Sequence, residues 1–356
     1  MKNNYVIIMA GGVGTRFWPF SRTDFPKQFQ DVLGTGQSLL QQTASRFEGI
    51  CPPENIYIVT SVEYKKLVKQ QLPYLSDDQI LQEPVRRNTA PCIAYACYKI
   101  AARNPQANVV VAPADHIILK EQAFAETVKK ALEATAQQSI LVTLGIKPSR
   151  PDTGYGYIQY IPDHQDGVQK VKTFTEKPHL DLAKKFLESG DFVWNAGIFV
   201  WNVQTILSNF EKHMHEMAEI FTEGHEKYYG SEEEAFIKKA YSQCKNISID
   251  YGIMEKADQV YVLLSDFGWS DLGTWKSLYD IAPKDTHQNV VDANVLLYDT
   301  RNCIIKTPKD RLVAINGLDG YIVAEYENVL LICRKDEEQR VKDFVADAKG
   351  KGTEFV

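Results

Sequence analysis

The chain has 356 residues, 44% hydrophobic and 24% charged, with a formal net charge of −6. That is enough apolar material for a large core and a second domain, and the acidic balance excludes a global attraction for nucleic acid or anionic lipid. Any anion site must therefore be a local basic patch.

The six cysteines (Cys51, Cys92, Cys97, Cys244, Cys303, Cys333) form no CxxC pair, which argues against a zinc site or a disulfide scaffold. No run approaches the length of a membrane span, and the first apolar run is too short for a signal peptide. The expected setting is the cytoplasm, with no membrane and no nucleic acid as partner.

In the first half, apolar β-branched runs alternate with helical periods. "NYVIIMA" predicts a buried strand. In "SLLQQTASRFEGI", Leu39, Leu40, Thr43 and Phe47 recur at helical spacing behind Ser38, a candidate N-cap. "NIYIVTS" predicts a strand and "VEYKKLVKQQL" a helix stopped by Pro73. "TAPCIAYACYKIAARN" predicts an apolar helix with Thr89 as N-cap and Pro91 in its first turn. "NVVVAPADHI" predicts a strand, "EQAFAETVKKALEATA" an amphipathic helix and "SILVTLGI" a strand. Strands without a polar face, separated by helices, predict a parallel sheet covered on both sides.

After Gly154 the pattern changes. "GYGYIQYI", "VQKVKTFTEKP" and "FVWNAGIFVWN" predict strands, and several helices are expected between Gln204 and Lys256. From about Gln288 short β-runs are broken by Asp, Asn and Gly turns, with no helix before "EEQRVKDFVADAK". The expected domains are 1–285 and a small β-rich one at 286–356.

The loop behind the first strand carries the chemistry. "MAGGVGTRFWPFSRTDFPKQF" sets Gly11, Gly12 and Gly14 beside Arg16, Arg22 and Lys27. In open α/β sheets, ligands sit beyond the carboxyl ends of the strands. GxxxxGK[ST] is absent, because Thr15 and Arg16 follow Gly14, and GxGxxG fails because Phe17 stands at the third glycine position. What remains is GGxGTRxxPxS followed by PKQ. Amide groups near the glycines can share one concavity around a triphosphate, while Arg16 and Lys27 neutralise it.

At this point the chain resembles the sugar-1-phosphate nucleotidyltransferases, and among them the mannose-1-phosphate guanylyltransferases (GDP-mannose pyrophosphorylases). The resemblance is carried by "MAGGVGTRFWPFSR", "PKQF", "EPVRRNTAP", "VVAPADHII", "TGYGYIQ", "FTEKP", "WNAGIFVW", "SIDYGIMEK" and "GWSDLGTW", in the family's order. It implies an α/β fold with a Rossmann-like, mixed and mainly parallel sheet flanked by helices, plus a small C-terminal β-helix-like domain. It implies GTP and mannose 1-phosphate as substrates, Mg²⁺ as cofactor and a homodimer.

Residue by residue, the resemblance implies these roles. Asp115 and Asp271 hold Mg²⁺, which is content with one or two carboxylates plus phosphate oxygens and water. Arg16 and Lys27 serve the phosphates alongside Gly11, Gly12, Gly14 and Thr15. Glu83 could accept from guanine N1–H and the exocyclic amine, with Asn88 or Thr89 on base or ribose. On the sugar side, Gly154 and Gly156 permit close approach, Glu176 and Asn195 meet hydroxyls, Lys177 binds the sugar phosphate and Gly197 leaves space.

His116 is expected to be structural, since Mg²⁺ prefers oxygen, and His213 and His215, two apart on a helix, share no face. Two other readings stand beside this one: transfer to a different hexose 1-phosphate or from another nucleotide, and a non-catalytic GDP-sugar-binding regulatory subunit. Presence of Arg16, Lys27, Asp115 and Asp271 together disfavours the second.

Overall fold

The computed structural model describes residues 2–162 and 167–356. The chain forms two compact units. One comprises the chain up to Gly11, Leu40–Ala114 and Ile118–Trp269; the other comprises Gly12–Leu39, Asp115–Ile117 and Ser270–Val356. The C-terminal β-rich stretch thus shares a unit with the glycine-rich loop and with Asp115, which the sequence groups with the N-terminal part.

The first unit opens with β1 (Asn4–Met9), α1 (Leu39–Ser45), β2 (Ile56–Ser61), α2 (Lys65–Gln71), β3 (Ile80–Glu83), α3 (Thr89–Arg103) and β4 (Asn108–Pro113). The two-residue strands β5 (Ile117–Ile118) and β11 (Trp269–Ser270) fall where the chain passes between units. Between them come α4 (Glu121–Gln137), β6 (Leu141–Ile146), β7 (Tyr157–Tyr160), β8 (Gln169–Thr175), α5 (Leu180–Ser189), β9 (Phe192–Asn202), α6 (Val203–His213), α7 (His215–Thr222), α8 (Glu233–Gln243) and β10 (Val260–Ser265).

Nine strands form one mixed sheet in the order β3-β2-β1-β4-β9-β6-β10-β8-β7. β1 pairs in parallel with β2 and β4, β2 with β3, and β6 with β10, while β9 runs antiparallel to β4 and β6. The reason lies in burial. Ile7 lies in the core shared with α3, and Val6 and Ile8, of opposite parity, are equally inaccessible. A strand buried on both faces needs a helical layer on each side. One layer brings α3 against α6 and α7, with Ile93 and Ile100 in the same cluster as Phe210 and Phe221. Elsewhere Phe47, just beyond α1, meets Phe124 of α4 edge-on at 5.7 Å.

Three local readings are corrected. The N-cap of α3 is Asn88, whose side chain accepts from Thr89 N–H at 2.9 Å. Its φ of 68° with ψ of −169° lies in a region that residues other than glycine rarely adopt. The helix carrying His213 and His215 breaks at Met214, so His213 ends α6 and His215 begins α7. β10 was not read from the sequence, although "VYVLLS" has strand composition.

In the second unit, α9 (Trp275–Ile281) precedes β12 (Val290–Asp292), β13 (Val295–Tyr298), β14 (Ile304–Lys306), β15 (Val313–Asn316), β16 (Tyr321–Tyr326) and β17 (Val329–Arg334), and α10 (Val341–Lys351) follows. β12, β14 and β16 stack in parallel, as do β13 and β15, and β17 closes antiparallel on β16. Such parallel coils have the texture of a β-helix. The unit's core includes Phe17 stacked on Trp275 at 4.4 Å, together with Ile304, Ile322 and Val341.

All six cysteines are free and buried, as expected of packing residues. Among the described residues no helix is long and apolar enough to cross a membrane.

Candidate active site

The glycine-rich loop begins where the chain enters the second unit. Gly14 adopts φ 66°, and a Cβ there would come within 3.2 Å of the Lys27 stem. A glycine is needed on both counts. Thr15–Phe17 then makes a short turn, with Phe17 N–H donating to the Gly14 carbonyl at 2.9 Å. Ser21 Oγ donates to the Val13 carbonyl and accepts from Lys27 N–H at 3.0 Å, and Gln28 donates to the Gly12 carbonyl at 2.8 Å.

These bonds use the loop's carbonyls. Its amides are different: among the described residues, Gly12, Val13 and Gly14 N–H groups have no acceptor. The buried Nε of Arg16 likewise lacks a partner there. Buried polar groups are normally paired, so this Nε is a donor still available to an anion.

Lys27 is otherwise engaged. Its side chain is 4% exposed, and the ammonium lies 3.0 Å from Asp115 Oδ2, 3.1 Å from the Asp271 carbonyl and 2.8 Å from the Leu272 carbonyl. All three of its donors are taken. In this structure Lys27 ties Asp115 to the 271–272 turn, whereas the sequence led us to expect it facing phosphate. The signal was present in "PKQF" but did not distinguish the two roles.

Asp115 is half-buried. Burial works against its charge, but Lys27 and His116 outweigh it and hold the carboxyl below its ordinary range. Asp271 Oδ1 accepts from Gly273 N–H at 3.0 Å, and a Cβ on Gly273 would meet its other oxygen at 2.5 Å. Lys27 therefore brings together Asp115 and the backbone of Asp271. This pair offers only oxygen donors, one of them held ionised, which fits a hard cation such as Mg²⁺. Among the described residues no group of three or more His, Cys, Asp or Glu is assembled for a metal, so substrate oxygens and water would complete the shell. His116 Nε2 lies 3.9 Å from Asp115 Oδ1, a neighbour that supports the carboxylate's charge.

In the first unit, Glu83 ends β3 and turns inward. It is 6% exposed, accepts from Tyr241 OH at 3.1 Å, and its other oxygen would sit 3.0 Å from a Cβ on Gly11. Burial pushes its carboxyl up to about 7, against the Tyr241 hydrogen bond and Arg86. Gly11 thus leaves room for the Glu83 carboxylate beside the start of the glycine-rich loop. Asn88 is exposed at the start of α3, and Thr89 Oγ1 accepts from Ile249 N–H at 2.9 Å.

The residues expected on the sugar side form a second cluster in this unit. A Cβ on Gly156 would come within 2.4 Å of Glu176 Oε2, so that glycine makes room for a carboxylate. Lys177, with φ 49°, pairs with Glu176. Gly154 N–H is held by Asp152 at 2.8 Å, and Gly197 adopts φ 67° with its N–H on Asn195 Oδ1 at 3.1 Å. Asn195 Oδ1 also accepts from Thr143 at 2.9 Å, and its amide donates to Asp250 Oδ1 at 2.9 Å.

Asp250 is the member that sequence reasoning missed. It lies in the quoted "SIDYGIMEK", on a π-turn (Asp250–Met254) of a kind frequent at functional sites. Burial first, then the charge of Glu176, pushes it up to about 6.

Residues 5–288 match the nucleotidyl transferase family, and residues 292–347 match the MannoseP isomerase/GMP-like beta-helix domain. The chain belongs to the nucleotidyltransferase family. It is 35% identical over 353 residues to the alginate biosynthesis protein AlgA of Pseudomonas aeruginosa, covering 97% of this chain and 72% of that protein. It is 35% identical over 348 residues to a mannose-1-phosphate guanylyltransferase of Escherichia coli, covering 95% and 74%. Among solved structures it is similar to one described as a mannose-1-phosphate geranyltransferase from Thermus thermophilus. The TM-score is 0.88 at 32% identity, over 98% of this chain and 99% of that one. The enzyme class and fold read from the sequence motifs are those of this nucleotidyltransferase family.

Proposed function

We propose that the chain transfers GMP from GTP to α-D-mannose 1-phosphate, giving GDP-mannose and pyrophosphate. The reading is supported by family membership and by the names of the relatives. The observation that carries it is the orphaned Arg16 Nε beside three unpaired loop amides, in the unit where Lys27 presents Asp115.

In this reading a phosphate oxygen of the sugar phosphate bonds to the α-phosphorus of GTP, and the bond from that phosphorus to the bridging oxygen of pyrophosphate breaks. The nucleophile is already an anion, so no general base is needed. The demands are positioning and charge stabilisation. Arg16 and the loop amides take up the growing charge on the leaving pyrophosphate. Lys27 keeps Asp115 ionised and aligned with the 271–272 turn. Asp115 and Asp271 would hold Mg²⁺, which when bound supplies Lewis-acid neutralisation of phosphate oxygens. Glu176 and Asp250 accept from sugar hydroxyls, Asn195 orients Asp250, and Lys177 exchanges Glu176 for the sugar phosphate.

A purified-protein assay tests this directly. Pyrophosphate release is measured across GTP, ATP, UTP and dTTP against mannose, glucose and galactose 1-phosphates. Highest kcat/KM for GTP with mannose 1-phosphate is expected; a different best pair would replace the substrate assignment. No turnover with any pair would favour a binding subunit.

A further inference from the structure

Arg22 belongs to the glycine-rich loop, yet its contacts lead elsewhere. Its side chain is buried at 4% exposure, and its guanidinium has five N–H donors. Four of them find hydrogen-bond acceptors. Nε donates to the Pro19 carbonyl at 3.3 Å. One terminal nitrogen donates to the Glu354 carbonyl at 3.0 Å and faces the Glu327 carboxylate at 3.2 Å. The other donates to the Tyr326 carbonyl and to Asn328 Oδ1, both at 2.9 Å. Four of its five donors are thus hydrogen-bonded within this chain, and its charge faces Glu327.

Trp18 repeats the pattern: its indole N–H donates to the Phe355 carbonyl at 2.7 Å. Asn328 closes the circuit by donating to the Glu354 carbonyl at 3.2 Å. Two segments remote in sequence, the β16–β17 turn and residues 353–356, thus hold the loop by its middle.

We propose that Arg22 and Trp18 are positioning residues, and that residues 353–356 are a strap that shapes the glycine-rich loop and aims Arg16. The inference rests on reading that loop as the nucleotide site. The loop is long, glycine-rich and largely irregular, so the few bonds inside it leave anchors outside it a share in fixing its shape. Trp18 lies two residues beyond Arg16, so its indole bond is one anchor of the backbone that carries Arg16, beside the Trp275 indole that donates to the Trp18 carbonyl at 3.1 Å. The strap is gripped through backbone carbonyls, and Phe355 also packs against the cluster that holds Phe17 and Trp18. Its course should therefore matter, and the exposed side chain at 354 should matter little.

The test compares removal of residues 353–356, Trp18→Phe, Arg22→Gln and Glu354→Ala. Rates are measured with each substrate varied in turn, alongside tryptic cleavage after Arg16 in the folded protein. Removing 353–356 is expected to raise KM for GTP about tenfold and lower kcat about tenfold, with KM for mannose 1-phosphate within about twofold. Cleavage after Arg16 should accelerate about tenfold, the scale expected when local opening is eased by one hydrogen bond or two.

Trp18→Phe should act in the same direction and add nothing to the removal. Glu354→Ala should match the unmodified chain. Arg22→Gln should resemble the removal; should it fail to fold, Trp18→Phe and the removal still decide. Unchanged KM for GTP with unchanged cleavage in both would overturn the strap. So would an equal rise of both KM values. If the unmodified chain turns over no GTP, the functional reading fails, and cleavage after Arg16 still decides the strap.

Discussion

Two regions use the same ingredients: a carboxylate, a lysine and a glycine that lets them approach. Around Lys27 the arrangement holds charge. The ammonium meets Asp115 and two carbonyls, and Asp115 stays ionised despite burial. Around Asn195 the arrangement works against charge on Asp250. Asp250 and Glu176 crowd each other, Lys177 is largely exposed, and Asp250 rises to about 6. The difference lies in where the cation sits. A buried lysine has nowhere else to go, so it fixes its partner's charge. An exposed lysine can leave, so its acids must be stabilised some other way. The first region suits a hard cation and phosphates; the second suits neutral hydroxyls.

The contrast can be broken most severely at Arg16. Arg16→Ala is expected to lower kcat/KM by about 10²–10³, the scale of losing one preorganised donor to a developing anion. The melting temperature should hold, because Arg16 Nε has no partner among the described residues. A variant of normal activity would remove the anion reading of the loop.

Lys27→Ala comes next and should behave differently. It breaks a partly buried ion pair, with an expected stability loss of about 2–4 kcal/mol as well as a fall in activity of about 10²-fold. Equal melting temperatures for Lys27→Ala and the unmodified chain would show that the latch is not structural. Chelation with EDTA should abolish turnover, and Asp271→Asn should raise the Mg²⁺ concentration for half-maximal rate by about tenfold. Rates that ignore both would dismiss the metal assignment.

Gly156→Ala sharpens the second region. A methyl there would meet Glu176, so KM for mannose 1-phosphate should rise about tenfold with KM for GTP unchanged. Equal change in both would mean that Glu176 is not specific to the sugar.

The smallest effects concern pH. Asp250 is raised to about 6 and Glu83 to about 7, each above its unfolded value. For an acid so raised, stability is fullest below the unfolded pKa and is lost as pH climbs through the folded one. Asp250→Asn should therefore gain on the unmodified chain, by a degree or a few in melting temperature, between about pH 4 and pH 7. Glu83→Gln should do so up to about pH 8. Parallel melting curves across that range would mean that neither acid is raised.

Much of the fold was legible in order along the chain. Uninterrupted apolar runs announced β1, β2, β4 and β6, and helical spacing announced α3 and α4, because burial on two faces leaves a periodic trace. Motif order announced the family. Less legible were positions where local preference and tertiary demand diverge. Asn88 displaced Thr89 as the cap, and Met214 broke a helix that looked continuous. β10 passed unread between two better-marked segments. In the site, "PKQF" disclosed Lys27 but not its partner, and "SIDYGIMEK" was noticed without Asp250 receiving a role.

Residue order alone was sufficient for the α/β class and the β-rich C-terminal texture, since composition and periodicity act locally. Folding in three dimensions assigned the partners of the charged side chains. Lys27 reaches Asp115 and Leu272 across 88 and 245 positions, and Arg22 reaches Glu354 across 332. No spacing rule spans such distances. Whether a cation is spent on its own protein or kept for a substrate depends on which acceptors packing delivers to it, and packing is a property of the whole chain.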